Sequence, residues 1–286
     1  MKKILFLSTM LLTIVAAMMT VMSCGPKKEA QKEEAAKKML VLYYSQTSNT
    51  KTVAQEIATR LGADIEEIVP VKPYDGDFQA TIGRCNEERE QGITPEIKPI
   101  AANLDDYDII FIGYPVWFGT FAPPVAAFLN QTDLSEKTLV PFCTFGSGGL
   151  ESSAKDLAEK QPQAKILPGY GVRAARMDAM PQEVEQFLKA GGFLEGEPIK
   201  LEAFSEQQPV SEAETAIFDA AVGDYPMIHA QAKTVASRPI PDGVEYLFTA
   251  ADLPREDAQP APTPSEMQIY VIALEGKTPV FTRVVR

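Results

Sequence analysis

The sequence predicts an α/β protein: an open, doubly wound five-stranded parallel sheet, followed by a smaller α+β module of one helix with an antiparallel sheet. Three observations predict it. From residue 39 onward short apolar runs are continuous rather than alternating, as suits strands covered on both faces. Amphipathic stretches of helical period lie between those runs. After Gly192 the alternation stops, and one helical stretch is followed by alternating segments.

The strand runs are 39–44, 65–69, 108–113, 138–143 and 165–169. Helices are predicted over 50–61, 121–130, 149–160 and 181–189, where Val53, Ile57 and Leu61, or Val125, Phe128 and Leu129, share a face. A longer excursion, 70–104, follows the second strand with a helix near 82–91. These elements define a first domain over 39–194. The second, 197–286, has a helix over 211–222, strands near 227–235, 244–249, 268–274 and 280–285, and an acidic, proline-rich loop at 253–266. Its hairpin, through Pro239 and Pro241 to Tyr246, resembles that of cystatin-like domains, without the compact glycine-containing turn of the protease-inhibiting ones. An interaction or docking role is expected for this module by fold analogy alone.

Ahead of both domains, residues 1–23 read as an export leader: Lys2 and Lys3, then an apolar stretch over 4–22, then small and apolar residues up to Cys24. This resembles a bacterial lipoprotein signal. The resemblance implies cleavage before Cys24, acylation of that residue, and a stable lipid anchor in the cell envelope, on a periplasmic or surface face. The rival reading is an uncleaved membrane helix of 19 residues. Residues 24–38 then form a charged tether.

Composition narrows the chemistry. With 45% hydrophobic and 23% charged residues the chain is globular, and its net charge of −12 argues against nucleic acid, which needs a basic surface. His229 is the only histidine, so no catalytic triad or multi-histidine metal site is expected in the first domain; a surface or strand position suits it. Three cysteines make no disulfide framework. Cys143, ending an apolar run, reads as an inert core thiol, and pairing with Cys85 is left open. Arg84, Glu88, Arg89 and Glu90 read as a solvated helical face.

Three loops carry the chemistry. The first strand ends in Ser45, Gln46, Thr47, Ser48, Asn49 and Thr50, where a helix begins. Unpaired amides at a helix start, with neutral hydroxyl donors and no lysine, suit a monophosphate better than a triphosphate. Strand, Ser-x-Thr-x-Asn-Thr and helix together resemble the phosphate loop of flavodoxins, which implies FMN with its phosphate here. Ser48 departs from the glycine usual at its position, and a positive φ there would carry modest strain.

The second loop holds Pro115, Val116, Trp117, Phe118 and Gly119, an aromatic cluster beyond a strand end that suits a flat ring. It resembles the flavodoxin loop that packs on the isoalloxazine, which implies Trp117 as the stacking residue. The third holds Thr144, Phe145, Gly146, Gly148 and Gly149, where a glycine-rich backbone can approach a planar ligand. Glu151 occupies the third glycine position of a dinucleotide fingerprint, so that motif fails. All three loops follow strand ends at the switch point of an open sheet.

The function expected is electron transfer in the cell envelope by bound FMN, with a redox protein or small acceptor as partner and no catalytic side chain of its own. An FMN-dependent NAD(P)H:quinone oxidoreductase is the first alternative, and a binding lipoprotein that has lost its flavin the second.

Overall fold

Strands β1 (Met39–Tyr43), β2 (Asp64–Glu67), β3 (Ile109–Trp117), β5 (Thr138–Phe145), and the pair β6 (Lys165–Ile166) and β7 (Tyr170–Arg173) build one sheet. The two-residue β4 (Thr120–Phe121) folds back on the end of β3. The computed structural model describes residues 37–75, 77–223, 225–253 and 265–286. The leader, the tether up to residue 36, Cys24 and most of the acidic loop lie outside the described residues.

All neighbouring strands of the five-membered core run parallel, in the spatial order β2-β1-β3-β5 and then β6 with β7. That is the doubly wound architecture expected. The reason is legible in β1 and β3: Leu40, Leu42, Ile110 and Ile112 enter one core, while Val41, Tyr43, Ile109 and Phe111 enter the other. A strand buried on both faces cannot alternate polar with apolar. Helices α1 (Asn49–Leu61) and α5 (Met180–Ala190) cover the second core, the former through Val53, Ala54 and Ile57. Helices α3 (Pro123–Gln131) and α4 (Leu150–Lys160) cover the first through Val125, Phe128 and Leu157.

Strand boundaries differ from expectation at several points, three of them in the parallel sheet near its carboxyl ends. β3 runs four residues past Gly113 to Trp117, so Pro115, Val116 and Trp117 are strand, not loop. The turn is only Phe118 and Gly119, with φ of 53° and 83°, the geometry of a two-residue primed hairpin. β5 includes Thr144 and Phe145, both buried. The fifth strand is broken: Thr138 pairs with Lys165 but Phe142 pairs with Tyr170, so one extra residue is taken up near Pro141 and Pro168, neither of which has an N–H for the ladder.

In the excursion, α2 (Phe78–Gln91) starts four residues earlier than predicted, because the Asp77 side chain accepts from the Ala80 N–H and caps it. Of its charged residues Arg89 and Glu90 are exposed, as a solvated face requires, but Arg84 and Glu88 are half-buried. Arg84 donates to Glu88 at 2.7 Å and to the Lys72 and Pro73 carbonyls, and its guanidinium lies 3.8 Å over the Tyr74 ring.

The C-terminal part is an antiparallel sheet in the order β12 (Val280–Val285), β11 (Glu266–Leu274), β10 (Gly243–Asp252), β9 (Ala230–Ile240) and β8 (Gln208–Pro209). Against it packs α6 (Glu212–Val222), whose start is fixed by a reciprocal capping box between Ser211 and Glu214. Phe218 of α6 meets Phe248 of the sheet, with ring centroids 5.2 Å apart. Residues 37–286 form one compact unit, so both sheets belong to a single body. Among the described residues no helix is long and apolar enough to cross a membrane.

Candidate functional site

Beyond the carboxyl ends of β1, β3 and β5 lies a half-open chamber of about 600 Å³. The β3–β4 hairpin supplies one wall, with Val116, Trp117, Phe118 and Gly119. Residues 146–149, between β5 and α4, supply a second. Gln46 reaches the chamber from the end of β1. Of the first loop only Gln46 lines the chamber; Ser45, Thr47, Ser48, Asn49 and Thr50 do not.

Trp117 is half-buried. It packs edge-on against Tyr74 and Tyr44, at centroid distances of 5.3 and 5.9 Å, and also borders the chamber. A large flat side chain is thus fixed from behind by two other aromatics. Phe118 is half exposed at the rim, under the Arg89 guanidinium at 4.8 Å.

The first loop, 45–50, turns from β1 directly into α1. Ser48 sits at φ 69°, left-handed, just before α1, and makes no side-chain cap bond. Nothing on its own side chain then competes for the first-turn amides. Thr47 and Ser48 are exposed and Asn49 is half-buried. The Ser45 hydroxyl is buried and has no hydrogen-bond partner among the described residues. A buried polar atom left alone costs about 1–3 kcal/mol, so its presence points to a ligand that would satisfy it.

Several expected residues do other work. Gln46 donates through its amide to the Tyr74 carbonyl at 2.9 Å and to the Thr81 hydroxyl at 2.8 Å, pinning the excursion to the first loop. Thr50 is buried and shares a hydrogen bond of 2.8 Å with Thr144, which ties the first loop to the end of β5. Phe145 belongs to the core and does not border the chamber. Pro115 likewise stays outside it.

Sequence reasoning missed two walls. One is the α2 face of Thr81, Ile82 and Cys85; neighbours one turn apart on a polar helix gave no apolar stripe to notice. The other comes from the C-terminal part, through Tyr225, Met227 and residues 284–286. No local pattern marks residues so distant in sequence as neighbours of a loop at 146.

Both described cysteines are free and buried. Burial pushes the Cys85 thiol up to about 11, with Glu88 acting in the same sense, and pushes Cys143 higher still. A raised thiol value favours the protonated, unreactive form. Alkylation of Cys85 by iodoacetamide at pH 8 should therefore run on the order of a hundredfold slower than for an ordinary thiol and accelerate only as pH approaches 11. Peptide mass spectrometry over a pH series checks this; full labelling at pH 8 would contradict the buried placement. His229 is exposed, as expected of a surface position. Among the described residues no cluster of three or more His, Cys, Asp or Glu could hold a metal.

This architecture is that of the flavodoxins. The flavodoxin family model matches residues 38–187, over half of the chain, and the protein belongs to that family. Over 97 residues it is 32% identical to an NAD(P)H dehydrogenase (quinone) of Gluconacetobacter diazotrophicus; the match spans 32% of this chain and 45% of that protein's length. Among solved structures it is similar to one from Bacteroides eggerthii, at 28% identity and TM-score 0.48, covering 54% of this chain and 97% of the other. It is also similar to a flavoprotein in complex with FMN from Lactobacillus acidophilus, at 26% identity and TM-score 0.44, covering 48% and 93%.

Proposed function

We propose that this protein is an FMN-dependent electron-transfer protein of the cell envelope, lipid-anchored through Cys24. The observation that carries the flavin part is the orphaned Ser45 hydroxyl in a lysine-free loop, beside a chamber walled by Trp117 and a glycine-rich backbone. The donor set fits FMN. Ser45, Thr47, Ser48 and the first amides of α1 would hold the phosphate by neutral donors; Trp117, Val116 and Gly146 to Gly149 would hold the ring and exclude water. Flavin supplies the redox chemistry when bound, and the protein sets the ring's surroundings. The acidic balance of −12 supports a carrier that meets its partner by charge.

The second reading, an NAD(P)H:quinone oxidoreductase, is favoured by the stretch shared with the Gluconacetobacter dehydrogenase. The two readings share one site and differ in the reductant. The cystatin-like likeness of the C-terminal part rests on one helix packed against an antiparallel sheet and supports no inhibitor role.

Titration of the purified protein with FMN tests the cofactor: a stoichiometric, perturbed flavin absorption band is expected, and an unperturbed band would overturn it. NADH- or NADPH-driven reduction of 1,4-naphthoquinone by the loaded protein would decide for the enzyme over the carrier. For the anchor, mass spectrometry of the membrane fraction should find acyl chains on Cys24, and the Cys24→Ser protein should retain its leader. An acylated Cys24→Ser protein would remove the lipoprotein reading.

A further inference from the structure

The flavodoxin sheet and the C-terminal sheet are joined at the chamber itself, by bonds to the glycine-rich loop. The Val284 N–H of β12 donates to the Ser147 carbonyl at 2.6 Å. Arg173, at the end of β7, donates to the Gly146 carbonyl at 2.7 Å and to the Phe281 carbonyl at 2.8 Å, with its guanidinium 3.3 Å over the Phe281 ring. Among the described residues its buried charge meets carbonyls and ring faces rather than a carboxylate, and burial lowers the guanidinium pKa to about 10. Arg283 of β12 lies 3.5 Å from Glu151 at the start of α4.

The loop sequence accommodates this join. A side chain at Gly148 would run into the Val284 carbonyl, and one at Gly146 would come within 2.5 Å of the Tyr225 hydroxyl. Glycines expected to let the backbone approach a ring therefore also let the C-terminal module approach the loop. From that module Tyr225 and Met227 border the chamber; Met227 is 58% exposed, and the half-exposed Phe118 borders the same cavity. Two large apolar side chains left open to one cavity suit an apolar ligand inside it.

We propose that the C-terminal module is a wall of the flavin site: Tyr225 and Met227 contact the isoalloxazine ring, and Arg173 is the positioning residue that holds the module to the glycine-rich loop. This rests on the FMN reading above. The module is then part of the cofactor site rather than a separate docking unit, and its contribution falls on the ring and not on the phosphate.

Lumiflavin, which is the ring without the phosphate-bearing chain, separates the two. In the full chain Met227→Ala and Tyr225→Ala should each weaken lumiflavin and FMN by the same factor, about three- to tenfold. Arg173→Gln should do likewise, with Arg173→Lys restoring part of the loss. Met227 is largely exposed, so Met227→Ala should leave the thermal midpoint unchanged and keeps the test independent of folding. Lumiflavin affinity within twofold of wild type in both Met227→Ala and Tyr225→Ala would overturn the inference while leaving the FMN reading intact. A wild-type chain that binds neither ligand would overturn the FMN reading, and this one with it.

Discussion

Trp117→Ala is expected to weaken FMN by about 1–3 kcal/mol, from lost stacking together with lost burial, and to restore much of the bound flavin's fluorescence. Trp117 is the only tryptophan, so its own emission reports ring contact without a competing source and should fall as FMN is added to wild type. The hairpin makes this a local test. Trp117 is held from behind by Tyr74 and Tyr44, so truncation to alanine also opens space among those rings. Trp117→Phe separates the effects: it keeps an aromatic ring against the two tyrosines and should retain most of the affinity. The phosphate loop is untouched in either variant, so binding should weaken and not vanish. If FMN binds wild type tightly and Trp117→Ala changes neither affinity nor flavin fluorescence, the ring lies elsewhere in the chamber.

How much of this was legible in the sequence follows from where each signal is stored. The parallel sheet could be read because β1 and β3 are buried on both faces and so are apolar without interruption, a property of each strand alone. The loops could be read because a strand that turns directly into a helix leaves its chemistry in consecutive residues, 45 to 50 and 146 to 149. Strand ends could not: Pro115 and Thr144 carry polar or ring-constrained side chains that look like loop, yet backbone pairing to Thr144 and Val172 keeps them in the sheet. The hairpin at Phe118 and Gly119 was hidden for a related reason, since phenylalanine is an unusual residue at positive φ.

The C-terminal wall was hidden because it is purely tertiary. Tyr225 and Met227 occupy a short connection between α6 and β9, and Arg173 ends a strand in the other sheet. Nothing in the composition of either segment shows that they meet over Gly146. The sequence expectation of a separate docking module followed from the change of texture after Gly192, which marks a change of sheet type and says nothing about contact. The same limit explains Arg84 and Glu88: a helix that looks charged all round buries two of its ions only because Tyr74 and the Lys72 and Pro73 carbonyls come to meet them.

Ser45→Ala is expected to have opposite signs in the two states of the protein, which makes it the sharpest test of the phosphate loop. Without ligand, the Ser45 hydroxyl is buried with no partner among the described residues, so its removal should stabilise the fold by about 1 kcal/mol, a rise of roughly 2–4 °C in Tm. With FMN, the same change removes a donor to a dianionic phosphate and should cost about 1.5–3 kcal/mol of affinity. Thr47→Ala, at an exposed position in the same loop, should lose a similar amount of FMN affinity without the gain in the free protein. Riboflavin, which has the ring and ribityl chain but no phosphate, should bind both variants as it binds wild type. Thr50→Ala behaves differently, because its hydroxyl is bonded to Thr144 and its loss loosens the joint between two loops; it should lower Tm and weaken both flavins. Calorimetric titration with FMN and riboflavin, beside thermal melts of the free proteins, reads all of these at once. Equal losses of FMN and riboflavin in Ser45→Ala and Thr47→Ala would place the phosphate outside this loop.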